Sequence, residues 1–181
     1  SFLVEPITGI DHHNCLDLLK NRYNGDNIKL IGANFLNYEK SLGLFDKIMI
    51  YSVLQSIPAM KDVIQLINKA VKCLDKGGKM LIGDIPNMSL KKRFLSTEAG
   101  KVFDKEWNQN KLSSSNKGDK DSDVHSLIVQ NLAGTCTLFD DGNVLGLVEQ
   151  LRNMGLHAYI LPQPKNLPFG NTREDILILK P

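Results

Sequence analysis

The sequence predicts an α/β fold: a mostly parallel, doubly wound sheet with an antiparallel terminal strand. Three observations carry that expectation. Across residues 45–86 the hydrophobic pattern passes from a short apolar run, KIMIY, to a repeat of three to four residues and back to an apolar run, KMLIG. This is the signature of a strand, a helix and a parallel strand. The same alternation stands earlier, where ITGID and IKLIG flank a segment with apolar residues on one side. The last two apolar runs are joined by PQPKNLPFGNTRE, which holds three prolines and no helical period. A parallel return needs a crossover, usually helical, whereas a loop can reach an antiparallel neighbour, so the chain should close with an antiparallel pair at the sheet edge.

In chain order, residues 7–11 form a short strand ending in an acid. A helix follows at 14–23 with Cys15, Leu16, Leu18 and Leu19 as its apolar side, broken by Asn24, Gly25 and Asp26. Residues 28–32 are the next strand, and 47–51 a third, apolar enough to be buried on both faces. Over 59–74 the residues Met60, Val63, Ile64, Ile67, Val71 and Leu74 mark a helix burying one face, which Gly77 and Gly78 stop before a strand at 79–83. A more exposed helix is expected over 89–107. Residues 109–123, rich in Ser, Lys and Asp, bury too little to order themselves and read as a mobile loop. An amphipathic helix at 144–154 has Asp140 or Asp141 as N-cap and Gly155 as its stop, and strands at 158–161 and 176–179 finish the chain.

Composition bounds the function. A chain of 181 residues, 42% hydrophobic and 23% charged, suits one globular domain. A net charge of +2 without a basic run gives no electrostatic case for nucleic acid or an anionic membrane. No apolar segment nears the roughly 20 residues that span a bilayer, and no signal-peptide pattern stands at Ser1. Cys15, Cys73 and Cys136 lack metal-ligand spacing and read as reduced core or near-core thiols of a cytoplasmic protein.

With these elements in place, the sequence resembles the class I S-adenosylmethionine-dependent methyltransferases, a Rossmann-like superfamily, over nearly its whole length. GID ends the second strand of that pattern with Asp11, whose carboxylate the resemblance assigns to the cofactor ribose, with His12 beside it. GANFL follows the next strand, placing Asn34 and Phe35 at the adenine edge and face. The run from Tyr51 and Ser52 to Gln55 matches the motif beneath the methionine part and the transferred methyl. LDKGGKMLIGD matches the fifth motif and ends at Asp84. The resemblance thus implies S-adenosylmethionine as cofactor, with Asp11, His12, Asn34, Phe35, Tyr51 and Ser52 binding it and Tyr51, Gln55 and Asp84 nearest the reaction.

One feature of the family is missing. A strand and a glycine-rich loop should precede ITGID, yet only SFLVEP stands there. That strand would lie between those carrying Asp11 and Tyr51, and without it two central strands lose a neighbour. A segment of roughly 20–35 residues, enough for a strand, a loop and a helix, is therefore expected to be absent between about Pro6 and Ile7.

Each assignment has a plainer competitor. Asp11 serves either the ribose or the following helix as a cap, and Asn34 and Phe35 could equally be turn and core residues. Gln55 could merely begin a helix, and Asp84 could cap the next turn. His12 and His13 are adjacent and diverge, so solvent-facing rings are expected rather than a shared metal. Arg173 either clamps an anion or organises the last hairpin. The implied activity is methyl transfer to an oxygen or nitrogen of a small molecule, for instance a sugar or other metabolite. An Asn-Pro-Pro-aromatic motif, expected of nucleic-acid methyltransferases, is absent after Ile50. The rival readings are a non-catalytic binding module of the same fold and an NAD-dependent oxidoreductase, the latter disfavoured by the antiparallel ending.

Overall fold

The computed structural model describes residues 5–22, 27–115, 139–167 and 169–181. The chain forms two compact units, Ser1–Gly43 and Leu44–Pro181.

In the first unit, β1 (Ile7–Asp11), α1 (His13–Arg22) and β2 (Ile28–Gly32) follow one another. β1 and β2 pair in parallel, Ile7 opposite Ile28 and Asp11 opposite Gly32, as a helical crossover allows. Leu16 is buried on α1, but Cys15 is exposed, against expectation. A helix turns about 100° per residue, which carries the neighbour of a buried leucine off the apolar face. Cys73 is half-buried, and Cys136 lies outside the described residues.

The second unit contains β3 (Phe45–Tyr51), α2 (Met60–Cys73), β4 (Leu74–Pro86), α3 (Met88–Leu95), α4 (Glu98–Ser115), α5 (Asp141–Asn153), β5 (His157–Pro162) and β6 (Arg173–Leu179). Its sheet has the order β3-β4-β6-β5. β3 and β4 are parallel, and β6 runs against both β4 and β5, so the expected antiparallel ending is present. Register places Ile48, Met80, Ile178 and Ala158 in one row and Ile50, Ile82, Ile176 and Ile160 in the next. Within these rows Ile50, Met80, Ile82, Ile176, Ile178 and Ala158 are buried. With the buried faces of α2 (Val63, Leu66, Ile67, Ala70, Val71) and α5 (Val144, Leu147, Val148, Leu151) they make the core. Each large aliphatic contributes about 1.5–3 kcal/mol, more than a typical hydrogen bond, so this face holds the unit together.

The alternate row, Met49, Leu81, Leu177 and Tyr159, points to the other face of the pleat. Met49 is 73% and Tyr159 45% exposed. Residues 47–51 are therefore not buried on both faces: β3 ends the strand order, and only Ile50 in that run is buried.

Several boundaries differ for identifiable reasons. α2 ends at Cys73, before the glycines, and Leu74 already has extended backbone. Lys180 Nζ donates to the Leu74 carbonyl at 2.5 Å, so a lysine from the chain end satisfies the helix terminus. Gly77, at φ +75, instead serves the irregular start of β4, its N–H meeting the Lys180 carbonyl at 2.9 Å. The single helix expected at 89–107 is two helices, because Thr97 caps α4 through Gly100 N at 3.1 Å. Gly100 fits where a Cβ would lie 2.0 Å from the Phe94 carbonyl oxygen, so the chain turns tightly there. Residues 109–115, read as the start of a loop, continue α4, while 116–123 lie outside the described residues. Asp140 caps α5 through Asn143 N at 2.8 Å, as expected.

Candidate functional site

The C-terminal ends of β3, β4 and β5 and the N-terminal end of β6 meet at one end of the second unit's sheet, where open α/β sheets carry their sites. Ile82 pairs with Ile176 and Ile85 with Glu174, so Gly83 and Asp84 together face Asp175. The additional residue is a β-bulge, which re-aims a side chain. Asp84 sits at φ +66, and its N–H donates to Asp175 Oδ1 at 2.9 Å. Ser52, directly after β3, is at φ +57, and its N–H meets the Gly83 carbonyl at 3.1 Å. Among the described residues these are the two non-glycine positions at positive φ. Each costs about 1–3 kcal/mol, which the surrounding contacts must offset.

Those contacts join the two residues. The Ser52 hydroxyl donates to Asp84 Oδ2 at 2.5 Å, and the Arg173 guanidinium pairs with the same oxygen. Arg173 and Asp84 retain 20% and 13% side-chain exposure, enough shielding for the pair to count. Beside them the Tyr51 ring lies on Gly83, where a Cβ would be 2.4 Å from Tyr51 Cδ2. Gln163, 4% exposed, donates through Nε2 to Asp175 Oδ1 at 2.9 Å and reaches the Tyr51 hydroxyl at 3.4 Å. Gln55 lies in the short turn Leu54–Ser56, and its Oε1 is buried without a hydrogen-bond partner among the described residues. Such an atom needs a donor from elsewhere. The structure thus brings Tyr51, Ser52 and Asp84 together, and adds Gln163, Arg173 and Asp175, of which the sequence reading weighed only Arg173.

A second cluster braces this end. Asn87, 1% exposed, caps α3 through Leu90 N at 3.0 Å, and its Nδ2 donates to Asp141 Oδ1 at 2.9 Å and Glu174 Oε2 at 2.8 Å. Arg93 bonds both Asp141 oxygens. That guanidinium, chiefly by hydrogen bonding, holds the Asp141 carboxyl below the usual carboxylate range and is itself raised. Asp84 does not cap the following turn, since Asn87 has that role.

Above the bulge, aromatic rings form a ladder. Phe94 meets Phe103 at 5.7 Å between centroids, Phe103 stacks on Trp107 at 6.1 Å, and Trp107 meets Phe169 edge to face at 5.2 Å. The Arg173 guanidinium carbon lies 4.4 Å from the Phe169 centroid.

In the first unit, Asp11 is exposed at the end of β1, and its Oδ1 accepts from His12 N at 2.7 Å. His12 and His13 are exposed, with ring centroids 6.2 Å apart. The His13 ring occupies the space beside Gly32, where a Cβ would lie 2.2 Å from Nδ1. Among the described residues no three metal-ligating side chains converge. Asn34 is exposed and its Oδ1 accepts from Leu36 N at 3.0 Å, capping the turn Phe35–Asn37, while Phe35 is half-buried.

No protein-family model matches the sequence, and no curated protein matches it. Solved structures do. A Nostoc punctiforme protein provisionally assigned as an O-methyltransferase is 17% identical, with a TM-score of 0.60, and the match covers 97% of this chain and 45% of that one. N-methyltransferase NodS from Bradyrhizobium japonicum, in complex with S-adenosyl-L-homocysteine, gives 14% identity, a TM-score of 0.54 and coverage of 97% and 67%. An O-methyltransferase family protein from Burkholderia thailandensis gives 15%, 0.58, and 96% and 43%. The chain thus spans less than half the length of two of these three proteins. At such identities the likeness shows the fold alone, an α/β fold shared with these methyltransferases.

Proposed function

We propose that this chain belongs to an S-adenosylmethionine-dependent methyltransferase, a transferase that moves a methyl group to an oxygen or nitrogen of a small-molecule acceptor. The observation that carries the reading is the pair of left-handed residues, Ser52 and Asp84, hydrogen-bonded at the ends of adjacent parallel strands. Backbone held in so unfavourable a form at a strand-end site is the mark of a binding constellation.

Within each unit taken by itself, the residues present suit parts of the cofactor. The buried, unpartnered Oε1 of Gln55 would accept from the methionine ammonium, beside Tyr51 and Ser52. Asp11, with Oδ1 engaged by His12 N, keeps its second oxygen for a ribose hydroxyl, and His12 flanks it. Asn34 and Phe35 would meet the adenine. When bound, the cofactor supplies a methyl already activated on sulfonium, so the chain's task is placement. Asp84 Oδ2 is occupied by Ser52 and Arg173, which leaves Oδ1 to receive the acceptor's proton or orient its hydroxyl. Tyr51, held between Gly83 and Gln163, would wall the methyl position. A cytoplasmic setting and an acceptor other than nucleic acid complete the reading. Among the described residues no helix is long and apolar enough to cross a membrane.

The proposed segment between Pro6 and Ile7 belongs to the same reading. β1 has β2 as its strand neighbour, and β3 stands at the end of its sheet's order beside a partly bare row of apolar residues. Both observations support a further strand and helix. Complementary DNA sequenced across the Pro6 and Ile7 codons should contain the insertion, and a continuous reading would remove it. If the segment is truly lacking, its glycine-rich loop is lacking too, and the non-catalytic binding module becomes the better reading.

Calorimetric titration of the protein with S-adenosylmethionine, S-adenosylhomocysteine and NAD separates the possibilities. Heat with the first two and none with NAD is expected. Silence with all three favours the binding module, and a response to NAD alone overturns the proposal in favour of an oxidoreductase.

A further inference from the structure

β5 ends the strand order of its sheet, so among the described residues one of its edges meets no other strand. The backbone groups on that edge are fixed by the far end of β6. Lys180 N–H donates to the Gly78 carbonyl at 3.0 Å and the Lys180 carbonyl accepts from Gly77 N at 2.9 Å, so the backbone of Lys180 faces β4. Backbone groups alternate sides along a strand, and Ile178 and Ile176 therefore face β4 as well, while Leu179, Leu177 and Asp175 face β5. Opposite these three stand His157, Tyr159 and Leu161. Ala158, Ile160 and Pro162 consequently turn their backbone polar groups outward. Pro162 suits that place, since a strand tolerates proline where the missing N–H would face away from the ladder.

This edge is closed at two points. At its end Pro162 brings no donor. At its start the Arg152 guanidinium, from the last turn of α5, meets the Ala158 carbonyl, donating from Nε at 3.1 Å and from Nη2 at 2.8 Å. Ala158 is 1% exposed although its backbone faces outward. Ile160, between the two, keeps one donor and one acceptor, too few for a ladder. The usual protections of an edge are lysine, an inward-pointing charge or a bulge. HAYILP has no lysine, arginine or acid, and its register with β6 runs without a shift from His157 to Pro162. Tyr159, 45% exposed, and Ile160 are residue types that favour strands.

We propose that Arg152 is an edge guard, which keeps β5 from pairing in antiparallel fashion with β5 of a second copy of this chain. A second copy is the fitting occupant, because two identical edges related by a two-fold axis match each N–H of one with a carbonyl of the other. A groove of about 420 Å³ beside the edge, lined in part by Arg152, His157 and Tyr159, leaves room for a strand once the guanidinium is gone. The groups that Arg152 shields at Ala158 then join those of Ile160 in a run long enough to pair. The device is independent of any methyltransferase activity.

The same two bonds brace the turn through Gly155, and the test must separate a brace from a guard. Sedimentation velocity over a concentration series compares the full-length protein with Arg152→Ala and with the double variant Arg152→Ala/Ile160→Pro. The unaltered protein should show no association through this edge, whereas Arg152→Ala should self-associate at least about 10-fold more tightly, the worth of two newly available hydrogen bonds. Adding Ile160→Pro removes an N–H that points away from β6, so it should return the chain to the monomer without harming the sheet. Amide hydrogen exchange gives a second readout: Ile160 N–H should become protected in Arg152→Ala as concentration rises. An Arg152→Ala chain that sediments as the unaltered protein does, at every concentration, overturns the proposal. So does association that persists in the double variant, since it would come from a loosened turn or from another surface.

Discussion

The two units carry their candidate site residues in opposite ways. In the second unit every contact of the site is long in sequence: Ser52 to Asp84, Asp84 to Arg173 and Asp175, Tyr51 to Gln163. Asp84 and Arg173 are shielded and Gln163 is buried, while Tyr51 and Ser52 at the strand end are exposed. In the first unit Asp11 bonds the next residue and Asn34 the residue two further on, and both are exposed. A side chain held by distant strands is placed by the fold, whereas one held by its own turn is placed only locally. One unit holds its candidate groups through the fold, and the other holds them through its own turns.

The strongest way to break this contrast is to cut the long-range lock. Arg173→Met removes the partner of a shielded carboxylate and leaves Asp84 at positive φ with one donor fewer. A loss of about 2–3 kcal/mol is expected, below the 3–5 of a fully buried pair because both groups keep some exposure. Urea unfolding measures it. A loss under about 0.5 kcal/mol, the level of ordinary surface substitutions, would show that the network does not hold the bulge.

Next in size is Gly83→Ala. The new methyl meets the Tyr51 ring, which must swing away from Gln163, and small-to-large changes of this kind cost about 1–3 kcal/mol. The thermal midpoint should fall, and the tyrosine near-ultraviolet signal should change with it. An unchanged signal would mean that Tyr51 is not seated on Gly83.

What the sequence revealed follows the same division between local and distant. Strand and helix periods are local, so the strands and the helices α1, α2 and α5 were legible and the antiparallel ending followed from three prolines, whereas the short turns Phe35–Asn37 and Leu54–Ser56, the run of α4 to Ser115 and the break between α3 and α4 were not. The break was missed because the apolar residues on either side of it blur into one weak period, although Thr97 is a capping residue type. Tyr51, Ser52 and Asp84 were reachable because they end strands. Gln163 and Asp175 were not: nothing near a glutamine between two prolines, or an aspartate before a strand, announces a bond across 12 residues to one another or across 91 to a bulge. The bulge itself depends on register between β4 and β6, which no single segment encodes.

Burial, not charge, should explain the strength of the lock, and Arg93 with Asp141 provides the control. This pair is also long-range, but it lies open to solvent, with side-chain exposures of 56% and 43%. The Asp141 carboxyl is lowered, so any stability it contributes is present above the usual carboxylate range and fades as pH falls through its folded-state value. In Arg93→Gln the Asp141 resonance, followed by NMR, should titrate at higher pH, while unfolding near neutral pH moves less than in Arg173→Met. A larger effect than Arg173→Met would reverse the ranking and make the exposed pair the principal brace.

The smallest effect on stability is expected in the first unit, where it discriminates most. Asp11→Ala removes a hydrogen bond to the adjacent residue on an exposed carboxylate, so unfolding should move by no more than about 0.5 kcal/mol. If that carboxylate holds a ribose, S-adenosylhomocysteine affinity should fall by about 10-fold, since a hydrogen bond to a charged group is worth about 1.5–3 kcal/mol. The two readouts pull apart the two roles left open for this residue. A helix cap loses about 1 kcal/mol of stability and leaves affinity untouched, whereas a ligand group does the opposite. Were stability and affinity to fall together, Asp11 would be placed by the fold as firmly as Asp84, and the contrast between the units would rest on Asn34 alone.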